Sequence, residues 1–182
     1  MATRRRKETG RLTAAAVLVA LSVVLLAVGS LVEVLDLSMA AIASLAVVFA
    51  VIELRGKYPY LVFVATAALA ILLLPNKTPA LVYALFAGYY PLLKVVFEKH
   101  FSRPVAWAFK LLSFFVSAVL IAFIAIKLFT VAPLQVLPYP WLYGLAGLLL
   151  VAVFVIYDIA LTRLITFYLW RLQRHFRFLH KD

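Results

Sequence analysis

The densest group of residues able to do chemistry is the stretch FAGYYPLLKVVFEK, residues 86–99. Tyr90, Lys94 and Glu98 recur every four residues and therefore share one helical face. Pro91 has no amide hydrogen to give, so the carbonyl of Ala87 loses its helical donor, and with Gly88 the two weaken the helix there. Lys94 falls about 4.5 Å beyond Pro91 along the axis. If that depth is still inside hydrocarbon, an ionised amine needs a partner. Glu53 and Arg55 close an earlier apolar stretch at a similar depth. The expected arrangement is a polar network of Glu53, Arg55, Tyr90, Lys94 and Glu98, with Lys94 on Glu53 and Arg55 on Glu98. Two readings of it stand: interfacial salt bridging with Lys94 snorkelling outward, or a charge switch or anionic-ligand site. Asp158, near the inner end of the last apolar stretch, pairs with a basic residue of another segment or serves as a proton-coupling carboxylate.

Other chemistries are poorly supplied. The chain has no cysteine, which removes thiolate catalysis, disulfides and Cys-ligated metals. His100, His175 and His180 lie in basic segments without metal-ligand spacing, so no metal and no cofactor is expected. No glycine-rich phosphate loop occurs, and the serines and threonines lack a nearby His–acid partner. The expectation is a protein that is not an enzyme.

The elements that must position these residues are membrane spans. The chain has 182 residues, 67% of them hydrophobic, and a mean hydropathy of +1.10. A full crossing takes about 20 apolar residues, and six stretches qualify or come close: Leu12–Val34, Met39–Leu54, Tyr58–Leu74, Pro79–Phe97, Val105–Phe129 and Trp141–Thr162. The fold class expected is all-α, a polytopic six-helix bundle. Residues 1–171 form a single transmembrane domain, and 172–182 a basic, aromatic cytoplasmic tail that continues the last helix. The run from Leu12 through Leu35 is longer than a signal-peptide core, so the first span is read as uncleaved.

Charge orients the bundle. Of 18 Lys and Arg residues, all but Lys77 and Lys127 fall on one side of a six-span topology. Basic loops resist translocation and meet the anionic inner leaflet, so both termini are expected to be cytoplasmic in the cell membrane. The net charge of +11 then reflects orientation and contact with anionic lipids rather than nucleic acid. The outer loop Thr130–Pro140, with three prolines, is not a regular helix.

Small residues recur at four-residue spacing as Ala16/Ala20, Ala46/Ala50, Ala80/Ala84/Gly88 and Ala118/Ala122, which allows close helix approach. Together with the basic start RRRK, the first span LTAAAVLVALSVVL, the second beginning DLSMAAIASL and the basic hairpin ELRGKYPY, the whole chain resembles the S components of energy-coupling-factor vitamin transporters. The resemblance implies a membrane subunit that takes a small organic, vitamin-like nutrient from outside and works with a transmembrane coupling subunit and ATPases. It also implies that Ala16 and Ala20 meet the coupling subunit. The first outer loop, Glu33–Ser38, is shorter than the long lid typical of that family. The alternative is a non-transporting scaffold or lipid-interacting protein of cell-envelope assembly, similar in topology to the rod-shape membrane protein MreD.

Overall fold

The computed structural model describes residues 2–54, 56–128, 141–168 and 170. Every regular element among them is helical. Residues 1–131 and 132–182 form two compact units.

Among the described residues, the first unit holds six helices whose ends are set by local chemistry. Helix α1 (Ala2–Leu31) is rich in Ala, Leu and Val and has no proline. A single 3₁₀ turn, Glu33–Leu35, leads into α2 (Asp36–Phe49), whose first-turn Asp36 complements the positive helix start. The last turn of this rod widens into a π turn at Ala50–Leu54. The chain then reverses through Gly56, whose φ of +62° is cheap only without a Cβ. Pro59 sits in the first turn of α3 (Tyr58–Leu73), where its missing amide hydrogen costs nothing. Leu74 is extended ahead of Pro75, and that ends the helix. After a short reversal follow α4 (Thr78–Val82), a second π turn at Tyr83–Ala87, and α5 (Tyr90–His100). Phe101 is extended, and α6 (Arg103–Leu128) starts with Pro104 in its first turn.

Short connections make chain neighbours antiparallel, so the reversals alternate between two ends. One end gathers the α2–α3 and α5–α6 turns; the other gathers the α1–α2 and α3–α4 turns. Ser30 and Asn76 tie that second end together, with Asn76 N donating to Ser30 Oγ at 3.0 Å and Ser30 Oγ donating to the Asn76 carbonyl at 3.2 Å. Asn76 Nδ2 also donates to Asp36 Oδ2 at 3.3 Å, and the Thr78 amide donates to Asn76 Oδ1 at 3.0 Å.

The core between α1, α2, α3 and α4 is built largely from alanine and valine: Ala15, Val19, Ala40, Ala43, Val47, Val62, Ala70 and Ala80. Small side chains let the helix axes approach closely, which carries packing where water supplies no hydrophobic drive. The outward surface is opposite in kind. Val17, Val24 and Leu31 on α1 and Leu112, Val119 and Phe123 on α6 are exposed. A surface this apolar matches a hydrocarbon solvent and not water.

The second unit is described by α7 (Trp141–Phe167), 27 residues with Leu148, Val153 and Ile156 exposed.

Among the described residues, five helical stretches are long and apolar enough to cross a membrane: Glu8–Leu31, Asp36–Leu54, Thr78–His100, Arg103–Ile124 and Gly144–Phe167. The sixth, Tyr58–Leu73, has 16 residues and a length of about 24 Å, short of a ~30 Å hydrocarbon core. The boundaries agree with the apolar stretches to within a few residues, except that α1 begins well before Leu12. The loop 130–140 and the tail 172–182 lie outside the described residues.

Candidate functional site

Tyr90, Lys94 and Glu98 share one face of α5, and its Tyr90–Lys94 part is turned inward. Tyr90 is buried with its ring 5.2 Å from that of Phe86. One turn on, Lys94 is 1% exposed, and one turn further Glu98 reaches the rim with its side chain 47% exposed. Lys94 lies six residues before the end of α5, about 9 Å from it. Its ammonium does not snorkel out. Lys94 Nζ lies 3.0 Å from Glu98 Oε1, as the i, i+4 spacing allows.

Glu98 has a second cation. Lys110 of α6, also buried, places Nζ 2.7 Å from the same Oε1 and 5.2 Å from the centroid of the Trp107 ring. One carboxylate therefore bridges two buried ammonium groups on neighbouring helices. A buried charge is tolerable only when paired and hydrogen-bonded, so this bridge fixes the α5–α6 hairpin. The sequence places Lys110 only among the orienting charges, and the expected Arg55–Glu98 contact falls on a residue outside the described ones. The signal for Lys110 is hairpin arithmetic: Lys94 lies seven residues before Phe101 and Lys110 eight after Ser102, so antiparallel helices joined there bring the two to a similar depth. Phe97 with Phe109 (centroids 5.7 Å apart) and Tyr89 with Ser117 (hydroxyl to hydroxyl) also meet across this hairpin.

Arg55 is outside the described residues. Glu53 is half-buried in the π turn that closes α2, at the same end of the unit. Asp158 lies in α7, in the second unit, where its backbone carbonyl accepts a 2.8 Å hydrogen bond from Thr162 Oγ1. Among the described residues no group of three or more His, Asp or Glu is arranged to hold a metal ion.

The weakness foreseen around Gly88 and Pro91 takes a definite form. The helix widens into the π turn Tyr83–Ala87, closed by a 2.7 Å hydrogen bond from the Gly88 amide to the Tyr83 carbonyl. A new α-helix then starts at Tyr90 with Pro91 in its first turn, a place where proline is tolerated. The proline is thus accommodated by restarting the helix, not by bending a continuous one. Gly88 is pressed against α3: a Cβ there would sit 2.7 Å from Phe63 Cδ2 and 2.8 Å from the Tyr83 carbonyl oxygen. Tyr89, beside the break, hydrogen-bonds Ser117 of α6, whose hydroxyl lies 2.7 Å from the Ser113 carbonyl.

The small-residue series divide by environment. Ala46, Ala50, Ala80 and Gly88 are buried within the first unit, where they let its own helices close up. Ala16 and Ala20 are not consumed in this way. They are exposed, while Ala15, Val19, Ser22 and Leu26 form the packed face of the same helix. Ser22 Oγ donates to the Leu18 carbonyl at 2.8 Å, which keeps that buried hydroxyl satisfied.

Comparison with known proteins finds no matching family model, no matching curated protein and no matching solved structure.

Proposed function

We propose that the chain is a membrane-embedded, substrate-binding subunit for a small organic, vitamin-like nutrient, dependent on partner coupling and ATPase subunits. The observation that supports it best is the open face of α1. Ala16 and Ala20 stand exposed at four-residue spacing, on a helix whose other face is already packed. Small residues on an open transmembrane face admit a second helix at close range. In this reading the six helical stretches are six spans, with the α2–α3 and α5–α6 turns and both termini in the cytoplasm. Within the first unit the described side chains agree: Arg11, Lys57, Lys94, Lys99, Arg103 and Lys110 belong to one end, Lys77 and Lys127 to the other.

The test is purification of the tagged chain from its native membrane in a mild detergent. The proposal expects an ATPase and a polytopic coupling protein to accompany it, and both to be lost from the Ala16→Trp/Ala20→Trp variant while the chain stays folded. Recovery of cell-envelope synthesis proteins, unchanged by the tryptophans, would replace the transport reading with a scaffold.

A further inference from the structure

The α5–α6 turn carries a surface that the α1 face does not use. Phe97, Phe101 and Phe109 pack as a trio, with centroids 4.8 Å apart for Phe101–Phe109, 5.7 Å for Phe97–Phe109 and 6.4 Å for Phe97–Phe101. Phe101, Phe109 and the nearby Trp107 are all partly open to the surroundings. Above this aromatic ledge, Lys99, His100 and Arg103 are exposed around the turn. His100 Nδ1 is held 3.0 Å from the Val96 carbonyl. The acid of the turn, Glu98, has its Oε1 engaged by Lys94 and Lys110, so the bridge below organises the hairpin while Lys99 and Arg103 stay at the surface.

The opposite end treats its cations differently. Lys77 Nζ folds back onto the carbonyls of Leu74 (2.5 Å) and Ile71 (2.8 Å), completing the end of α3. Lys127 lies in the last turn of α6, where a cation complements the negative helix end. Cations presented over an apolar ledge occur at the α5–α6 turn, and the combination has a chemical complement. The ledge suits the glycerol and upper acyl region of a lipid, and the cations suit its phosphate.

We propose that the α5–α6 turn is a binding surface for an anionic phospholipid of the adjoining leaflet, with Lys99 and Arg103 on the headgroup and the Phe97–Phe101–Phe109 ledge against the chains. A zwitterionic headgroup offers the same phosphate but carries its own cation, so the surface discriminates by charge. The proposal does not depend on the transport reading.

The test uses the full chain, stripped of lipid in a neutral detergent and offered mixed micelles holding phosphatidylglycerol or phosphatidylcholine. Bound lipid is counted by native mass spectrometry. The parent should prefer phosphatidylglycerol. Lys99→Gln/Arg103→Gln should weaken that preference by about fivefold for each cation removed. Lys77→Gln/Lys127→Gln should leave it unchanged. Lys99, Arg103 and Lys127 are surface positions and Lys77 is half-buried, so melting temperatures are recorded for both pairs. If the double change alters melting, Lys99→Gln alone decides, with its own drop of about fivefold. A preference that survives loss of Lys99 and Arg103, or falls equally when Lys77 and Lys127 are changed, overturns the proposal. Displacement of the lipid by millimolar inorganic phosphate also overturns it, because the site would then read a free ion and not a lipid.

Discussion

Lys110 Nζ approaches Glu98 Oε1 to 2.7 Å from a neighbouring helix, on the same oxygen that Lys94 meets at 3.0 Å from within α5. This shared contact joins two helices at a depth where an ammonium without an acid is costly. It predicts an asymmetry between single and double changes.

Glu98→Gln withdraws a carboxylate from two buried ammonium groups and should destabilise the fold by on the order of 2 kcal/mol. That is less than a fully buried pair because Glu98 is half exposed. Lys94→Met/Glu98→Gln should cost less than the two single changes added together, since Lys94 and Glu98 share one contact. Thermal unfolding in detergent measures both. Equal stability of the parent and Glu98→Gln would show that the bridge contributes nothing.

Gly88→Ala should destabilise by about 1–3 kcal/mol, because the added methyl meets Phe63 and the Tyr83 backbone at less than 3.0 Å. Gly10→Ala is the control: its Cβ meets nothing within 4 Å, and a mid-helix alanine should be neutral or stabilising by about 1 kcal/mol. The same unfolding assay separates the two. A Gly88→Ala chain as stable as Gly10→Ala would mean that the α3 contact yields freely.

Tyr89→Phe and Ser117→Ala each remove one partner of the hydrogen bond that fastens α6 beside the helix break. Each should cost about 1 kcal/mol, and the double change little more than one of them. A double-mutant cycle reads the coupling directly; additive losses would show that the two hydroxyls act separately.

The sequence made the helices legible because hydropathy and proline positions are local signals. Tyr90, Lys94 and Glu98 could be put on one face because i, i+4 spacing follows from helix geometry alone. Their cross-helix partner could not be read that way. Lys110 lies 16 residues beyond Lys94, and placing it depends on where the turn falls and how far α6 rotates. The π turn at Tyr83–Ala87 was equally hidden: Gly88 and Pro91 mark a weak point, but whether the helix bends, widens or restarts is decided by packing against Phe63 and Ser117. Alanine spacing alone also does not distinguish Ala16 and Ala20 from Ala46 and Ala50; only tertiary packing shows which pair is used up internally.

In the proposed topology, charge sets sidedness. A chain carrying single cysteines should react with a membrane-impermeant thiol reagent from outside at residue 77, and only after permeabilisation at residues 99 and 182. Residues 77 and 99 sit at opposite ends of the candidate span Thr78–His100, so labelling of both from outside would break the six-span assignment.

The central claim is that the open face of α1 receives a partner helix. A photo-crosslinking amino acid placed at Ala20, in cells, tests it most directly, with Val47 of the packed core as the comparison. The account predicts a discrete protein adduct at Ala20, identified by mass spectrometry as a polytopic coupling subunit, and none at Val47. Crosslinking at Ala20 to lipid alone would contradict it.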